Sequence, residues 1–330
     1  MPDADGSKRI RAAAVQLEAV VGDVATNLQR IEKLVDEAAA TGAKLIAVPE
    51  FCTSSIVFDE RTHDAVLAPD NAAVDLLKRL AARHRCWIGG SMLIADGGEV
   101  YNRYHFVEPG GAVHVHDKDL PTHWENAFYT GGHDDGAFET ELGGVGAAVC
   151  WELIRTQTVR RLRGRVDVAM TGTHWWTAPE NWGAPVRRAL APIAQYNRYM
   201  SENAPAEFAR RLGVPVLQAS HCGSFRTGFM LLPGVPLAPP YDTEFVGATQ
   251  IVDAQGTVLA QRRTREGPGI VTAEIELGAQ TPNTPLEDRF WIPDLPLFLH
   301  AYWHQQNACG KVYYKQRGRA AGLAAAARNA

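Results

Sequence analysis

The order of apolar runs and amphipathic stretches between Ile10 and Cys150 constrains this fold more than any other feature. IRAAAVQLEAV, KLIAVPEF and CWIGGSMLI read as strands, the second closed by Pro49. Between them, residues 27–40 and 71–84 carry apolar side chains at helical spacing, and the first stretch runs into Thr41-Gly42, a helix stop. Strand–helix–strand–helix in that order predicts an α/β sheet covered by helices.

Further along, EVYNRYHFVEP and AVHVHDKDL flank Gly110-Gly111 and predict a hairpin. GGVGAAVCWE is a glycine-led strand ending at Cys150, TVRRLRGR a helix, and VDVAMTGTHWW the next strand. Residues 185–213 predict one or two helices with a break near Pro205. VPVLQASHCG, GATQIVDAQGTVLAQ and GIVTAEIEL read as closing strands, with a tight turn at 254–256. No repeat or linker divides residues 8–280, which read as one domain. Residues 281–330 differ, being proline-broken (TPNTPLEDRFWIPDLPLF), then aromatic and basic, then Ala-rich after Gly322. This C-terminal extension reads as an arm reaching across a subunit interface, where aromatics and Arg are enriched. The alternative is a tail packed on its own domain.

Bulk properties exclude several function classes. The formal charge of −4 over 330 residues gives no basic field for a nucleic acid. No apolar run approaches the roughly 20 residues of a membrane helix. The opening MPDADGSKRI lacks the apolar core of a secretory signal, so the expected compartment is the cytoplasm. The five cysteines (Cys52, Cys86, Cys150, Cys222 and Cys309) are widely spaced and contain no CxxC pair, which argues against a disulfide framework or a zinc site. His114 and His116 share a strand face without a third ligand and read as a surface pair. His221 and Cys222 are neighbours on a strand and face opposite ways, which disfavours a catalytic pair. GGVG lacks the following helix of a phosphate loop.

Three polar residues stand at or just beyond the C-terminal ends of predicted strands, where functional groups of α/β sheets gather. Glu50 follows LIAVP, Lys118 follows AVHVHD and Cys150 follows GVGAAV. A carboxylate, an ammonium and a thiol suit acyl chemistry: a thiol attacks as thiolate and needs a base and a nearby cation. The tetrahedral intermediate then needs a positive group or N–H donors aimed at its oxygen. Taken singly, each has a plain structural reading: a solvated Glu, a surface Lys paired with Asp117 or Asp119, and a core Cys beside Trp151.

In combination they resemble the nitrilase superfamily of carbon–nitrogen hydrolases. AVPEF carries Glu50, DKDLPTHWENAFYTGG carries Lys118 and Glu125, and GAAVCWE carries Cys150, in the family's order and spacing; the similarity spans residues 9–277. The resemblance implies a four-layer α–β–β–α sandwich, commonly a homodimer or larger, with no metal and no organic cofactor. It implies Glu50 as general base, Lys118 and the backbone N–H of Trp151 as oxyanion donors, Glu125 as the group that positions substrate and steadies Lys118, and Cys150 as the nucleophile. The implied substrate is a small amide or N-carbamoyl compound. A nitrile, acyl transfer to an amine, and a non-catalytic scaffold are the alternatives. The chain departs from the family after CWE, where it reads LIRTQTVRR, and at QASHCG, where Ser220 and His221 stand in place of a common Asn. His174, Trp175 and Trp176, after a strand parallel to that of Cys150, are expected to wall the pocket.

Overall fold

The computed structural model describes residues 8–235, 237–288 and 297–330; the acidic leader and part of the proline-broken stretch lie outside the described residues. The chain opens with β1 (Lys8–Leu17), α1 (Val24–Ala40), β2 (Leu45–Ala47), α2 (Ala72–His84) and β3 (Trp87–Asp96). Both helices begin where the sequence supplies a cap. Asp23 accepts from the Thr26 N–H at 3.0 Å, and Asn71 accepts from Ala73 and Val74 at 2.9 and 3.1 Å. The first half closes with the hairpin β4 (Glu99–Val107) and β5 (Val113–Asp117), as the sequence predicts.

The second half comprises β6 (Ala137–Thr140), β7 (Gly143–Ala147), α3 (Thr156–Leu162), β8 (Val168–Thr173), α4 (Ala184–Leu212) and β9 (Val216–His221). A small two-stranded sheet, β10 (Ser224–Gly228) with β11 (Pro240–Glu244), follows, then β12 (Ala248–Val252), β13 (Val258–Arg263) and β14 (Gly269–Leu277). β1, β2 and β3 are parallel, as are β7, β8 and β9, and each trio is flanked by antiparallel strands. The main-sheet order is β5-β4-β3-β2-β1-β9-β8-β7-β6, with β14 added on β1 and β12 on β9.

Alternation along β1 sorts the layers. Ala13, Val15 and Leu17 pack with Ile31, Leu34 and Val35 of α1 and Leu76, Leu77 and Leu80 of α2. Ala12 and Ala14 share a second core with Phe138, Val145 and Val168 from the other half, and with Val159 and Leu162 of α3 and Met200 and Phe208 of α4. Helices, half-sheet, half-sheet, helices is the expected four-layer arrangement. The two halves are nonetheless hydrogen-bonded into one sheet, because β1 and β9 pair at their C-terminal ends, Gln16 with Ser220 and Leu17 with His221.

One predicted break is absent. α4 runs unbroken through Pro192 and Pro205. An interior proline costs about 3 kcal/mol, but burial of Met200, Ala204, Phe208 and Leu212 holds the second half of this helix against the sheet. The C-terminal segment forms α5 (Leu297–Tyr313), a π turn over Tyr314–Gly318 and α6 (Arg319–Arg328), and it packs on residues of its own chain. Gln305 and Gln306 donate to the Met230 carbonyl. The Tyr314 hydroxyl accepts from the Val100 N–H at 2.9 Å and donates to Glu99 at 2.7 Å.

The two halves touch most tightly at Gly172, where an added Cβ would stand 2.1 Å from the Glu50 nitrogen and 2.6 Å from the Pro49 carbonyl carbon. Gly172→Ala is expected to lower stability by about 1–3 kcal/mol through overpacking, read as a reduced urea midpoint; an unchanged midpoint would show that this crossing loosens freely.

Candidate active site

Four side chains from four separate segments meet between the half-sheets. Glu50 lies three residues beyond β2, Lys118 one beyond β5, Glu125 in a 3₁₀ turn over His123–Ala127, and Cys150 three beyond β7 at the start of a second 3₁₀ turn. All four are buried, Glu50, Lys118 and Glu125 at 0% exposure and Cys150 at 1%. Lys118 Nζ donates to Glu50 Oε1 at 2.8 Å and to Glu125 Oε2 at 2.9 Å. Asn102 Nδ2 from β4 donates to the same Glu50 oxygen at 2.8 Å. Glu125 Oε2 also accepts from the Thr122 N–H at 3.0 Å and the Tyr129 hydroxyl at 2.5 Å. Glu50 Oε2 is buried without a nitrogen or oxygen partner among the described residues, and the Cys150 thiol is within reach of the Glu50 carboxylate as a donor.

The electrostatics follow from burial. Removal from water raises the Glu50 carboxyl to about 7, with the Glu125 charge adding to the rise and Lys118 opposing it. Burial also pushes the Cys150 thiol well above its ordinary range, reinforced by Glu50 and Glu125 and opposed by Lys118. Burial disfavours the Lys118 ammonium too, but Glu125 and Glu50 outweigh it and keep the amine charged. Near neutral pH the site therefore holds a fixed cation, a carboxylate able to take a proton, and a thiol able to give one.

Backbone strain gathers at the same place. Phe51, His123 and Cys150 have φ values of 50°, 53° and 55°, and Arg85, the C-cap of α2, is the only other described non-glycine residue with positive φ. Each such residue costs of order 1–3 kcal/mol and persists only where its surroundings dictate it. Glu152 supplies part of that dictation. Its carboxylate accepts from the Val149 N–H at 2.7 Å, just before Cys150, and from the Asp119 N–H at 3.0 Å, just after Lys118. It also pairs with His116 at 2.9 Å and Arg161 at 3.1 Å. One carboxylate thus fixes the thiol turn to the lysine loop.

The sequence model of the carbon–nitrogen hydrolase family matches residues 11–282. The chain belongs to that family. Among curated proteins it is 28% identical to the bifunctional nitrilase/nitrile hydratase NIT4B of Nicotiana tabacum, over 47% of this chain and 52% of the relative. It is 30% identical to the nitrilase of Bacillus sp. (strain OxB-1), over 44% of this chain and 47% of the relative. The chain therefore spans about half the length of the curated relatives it matches. Among solved structures, the carbon–nitrogen hydrolase of Helicobacter pylori G27 superposes with a TM-score of 0.63 at 18% identity, over 81% of this chain and 89% of the other. The amidase of Nesterenkonia sp. AN1, a mutant solved with acrylamide added to its active-site cysteine, gives 0.56 at 19% identity, over 89% and 99%. At such identities these likenesses speak to the fold.

The remaining sequence-predicted residues divide. Trp175 and Trp176 wall an apolar cavity of about 270 Å³, together with Trp151, His123, Trp182 and Tyr302. His174 does not line it; its Nε2 accepts from the Ile56 N–H at 3.1 Å and the ring is fully buried. His114 and His116 are not a surface pair. His114 pairs with Glu108 at 2.7 Å, and His116 is fully buried between Asp134 at 2.5 Å and Glu152. Among the described residues no cluster of His, Cys, Asp and Glu could hold a metal. His221 Nε2 donates to the Glu50 carbonyl at 2.6 Å and makes no pair with Cys222.

Sequence reasoning missed Asn102, Tyr129 and Glu152, and weighed His221 only as a disfavoured partner of Cys222. Tyr129 carried a signal, standing four residues beyond Glu125 and two past the end of the same short turn. It missed the C-terminal contribution as well: α5 brings Tyr302 to the cavity wall and Asn307 to within 3.0 Å of Asn126, beside Glu125.

The buried network makes a stability prediction. Burial works against the His116 imidazolium, but Glu152 and Asp134 outweigh it and raise its pKa from 6.5 to about 10. A raised pKa stabilises the fold fully below the unfolded value and less as pH climbs through about 10. Glu152→Gln, leaving that cation and Arg161 short of a counter-charge, is expected to cost about 3 kcal/mol in urea unfolding at pH 6, with a smaller difference from the parent at pH 10.

Proposed function

We propose that the protein hydrolyses a non-peptide C–N bond of a small amide or N-carbamoyl compound through a thioester on Cys150. The observation that carries this reading is the Lys118 ammonium held between the Glu50 and Glu125 carboxylates, with the Cys150 thiol within reach of Glu50. Glu50 takes the thiol proton as sulfur bonds to the substrate carbonyl carbon. The displaced electron pair settles on the carbonyl oxygen, which accepts from Lys118 and from the backbone N–H of Trp151. Lys118 has three N–H bonds and gives two to carboxylates, which leaves one for the oxyanion.

As the intermediate collapses, the C–N bond breaks and the leaving nitrogen takes the proton from Glu50. Water then enters, gives a proton to Glu50 and bonds to the acyl carbon. The C–S bond breaks, the acid departs, and the proton returns to sulfur. Glu125 holds Lys118 in place throughout, anchored by Tyr129 and the Thr122 N–H.

A nitrile is the second reading, favoured by curated relatives named as nitrilases at 28–30% identity. The same sulfur would add to the nitrile carbon, and two waters would release ammonia and the acid. Ammonia release from paired amides and nitriles separates the readings: turnover of nitriles alone would displace the amide.

Cys150→Ala is expected to abolish turnover while retaining the parent's thermal unfolding profile, and near-parental activity would remove the mechanism. Lys118→Ala is expected to lower kcat/KM at least about 100-fold, the usual size of a lost oxyanion donor. With Glu50 as base at a pKa of about 7, kcat/KM should fall below pH 7 as Glu50 takes up a proton; a flat profile between pH 5 and 7 would exclude Glu50 as the titrating base.

A further inference from the structure

We propose that the acyl portion of the substrate is an uncharged aromatic group, seated in the cavity beside the thiol. This rests on the thiol mechanism above and goes beyond it in naming the substrate class. Among the described residues, the wall of this cavity of about 270 Å³ has no Asp, Glu, Lys or Arg. Indoles from Trp151, Trp175, Trp176 and Trp182 line it, with Phe229 and Tyr241. Flat aromatic walls favour a planar guest through stacked and edge contacts. A carboxylate-bearing guest would enter without a counter-charge, which a water-poor apolar site penalises heavily. Amides with a carboxylate on the acyl side are thereby disfavoured, and N-carbamoyl amino acids, whose acyl side is a bare carbamoyl group, have no ring to seat there.

Two of the cavity's wall residues adjoin the chemistry along the chain. Trp151 directly follows Cys150, and Trp175 directly follows His174, whose backbone hydrogen-bonds the Cys150 thiol. The rings of Trp151 and His123, both on the cavity wall, stand 5.1 Å apart. Val186 of α4 and Phe298 of α5, both exposed, lie at its outer end.

A second observation points to a bound molecule. His123 is a cavity-wall residue only 6% exposed, yet neither ring nitrogen has a hydrogen-bond partner among the described residues. Trp175 Nε1 is likewise buried and unpartnered. Buried polar atoms are rarely left unpaired without cause. Two aromatic side chains offering unpaired nitrogens at the edge of an apolar chamber suit a guest that is flat and apolar with a few polar atoms, such as an arylalkyl amide.

The test compares kcat/KM of the full chain for acetamide, phenylacetamide, 3-phenylpropionamide and N-carbamoylglycine. Both aryl amides are expected to exceed acetamide at least tenfold, with N-carbamoylglycine slowest. Ala194→Trp, which places an indole in the cavity from α4, should shift the phenylacetamide-to-acetamide ratio at least tenfold toward acetamide. A preference for acetamide or N-carbamoylglycine would overturn the proposal, as would a ratio unmoved in a folded Ala194→Trp variant. Titration of Cys150→Ala with phenylacetamide, followed by tryptophan fluorescence, decides the matter without turnover: saturable quenching supports an aromatic occupant, and its absence refutes one. If no amide is hydrolysed and Cys150 is never acylated, the thiol mechanism fails on its own, and the titration still reports on the cavity.

Discussion

The buried ammonium of Lys118 is the interaction on which this structure turns. Three ionisable groups leave water together, each at a cost of several kcal/mol, and only mutual attraction at 2.8 and 2.9 Å with good secondary partners repays that cost. The geometry must therefore be tight. Glu50 comes from the end of β2, Lys118 from the end of β5 and Glu125 from a separate turn, so the ion cluster forms only after the first half-sheet and the 123–127 turn are in place. Asn102 shares Glu50 Oε1 with Lys118, and Tyr129 and the Thr122 N–H share Glu125 Oε2 with it. Their presence separates a cluster that can survive burial from one that would expel its charges.

Around this cluster the fold accepts local strain and secures it elsewhere. Gly172 lets β8 press against the backbone of Glu50. His221 bonds the Glu50 carbonyl, so the end of β2 is held by the far half-sheet as well as by its own. Positive φ at Phe51, His123 and Cys150 aims three consecutive-segment junctions inward, and Glu152 holds the third of these by its neighbouring N–H. Gly310 lets α5 lie directly on the 123–127 turn, where a Cβ would stand 2.6 Å from that of Asn126. The C-terminal helix is thus part of the frame of the site.

Much of this was legible in the sequence. The period of apolar residues located α1 and α2 to within three residues, because both helices bury one face and carry side-chain caps. The ends of β2, β5 and β7 carry the polar residues that the fold brings together. What stayed hidden depends on contacts between distant segments. Pro205 reads as a breaker by local rules, and only burial of Phe208 and Leu212 against the sheet makes the helix continuous. His116 looks like one of a surface pair until Asp134, Glu152 and Arg161 arrive from other elements. His174 follows a strand that points toward the thiol, yet its ring is committed to the Ile56 N–H. The role of α5 is invisible to periodicity, since Phe298 and Tyr302 face a chamber while Trp303 and Tyr313 pack against two different cores.

The resting charge state links the ion cluster to the aromatic chamber. Burial lifts Cys150 well above its ordinary range while Glu50 stays near 7. The proton therefore rests on sulfur, and the thiolate needed for attack is unfavourable without a guest. In the proposed mechanism a bound acyl group changes that balance, because the charge passing to sulfur moves on at once to an oxygen beside Lys118. Attack and oxyanion capture then become coupled, and the cost of making a bare thiolate in a dry site is avoided. In that mechanism the low-polarity surroundings of the buried cluster strengthen the Lys118–oxyanion attraction by the same physics that suppresses the free thiolate. Under that proposal substrate occupancy and nucleophile activation are one electrostatic event, governed by how well the apolar part of the substrate fills the space beside Trp151.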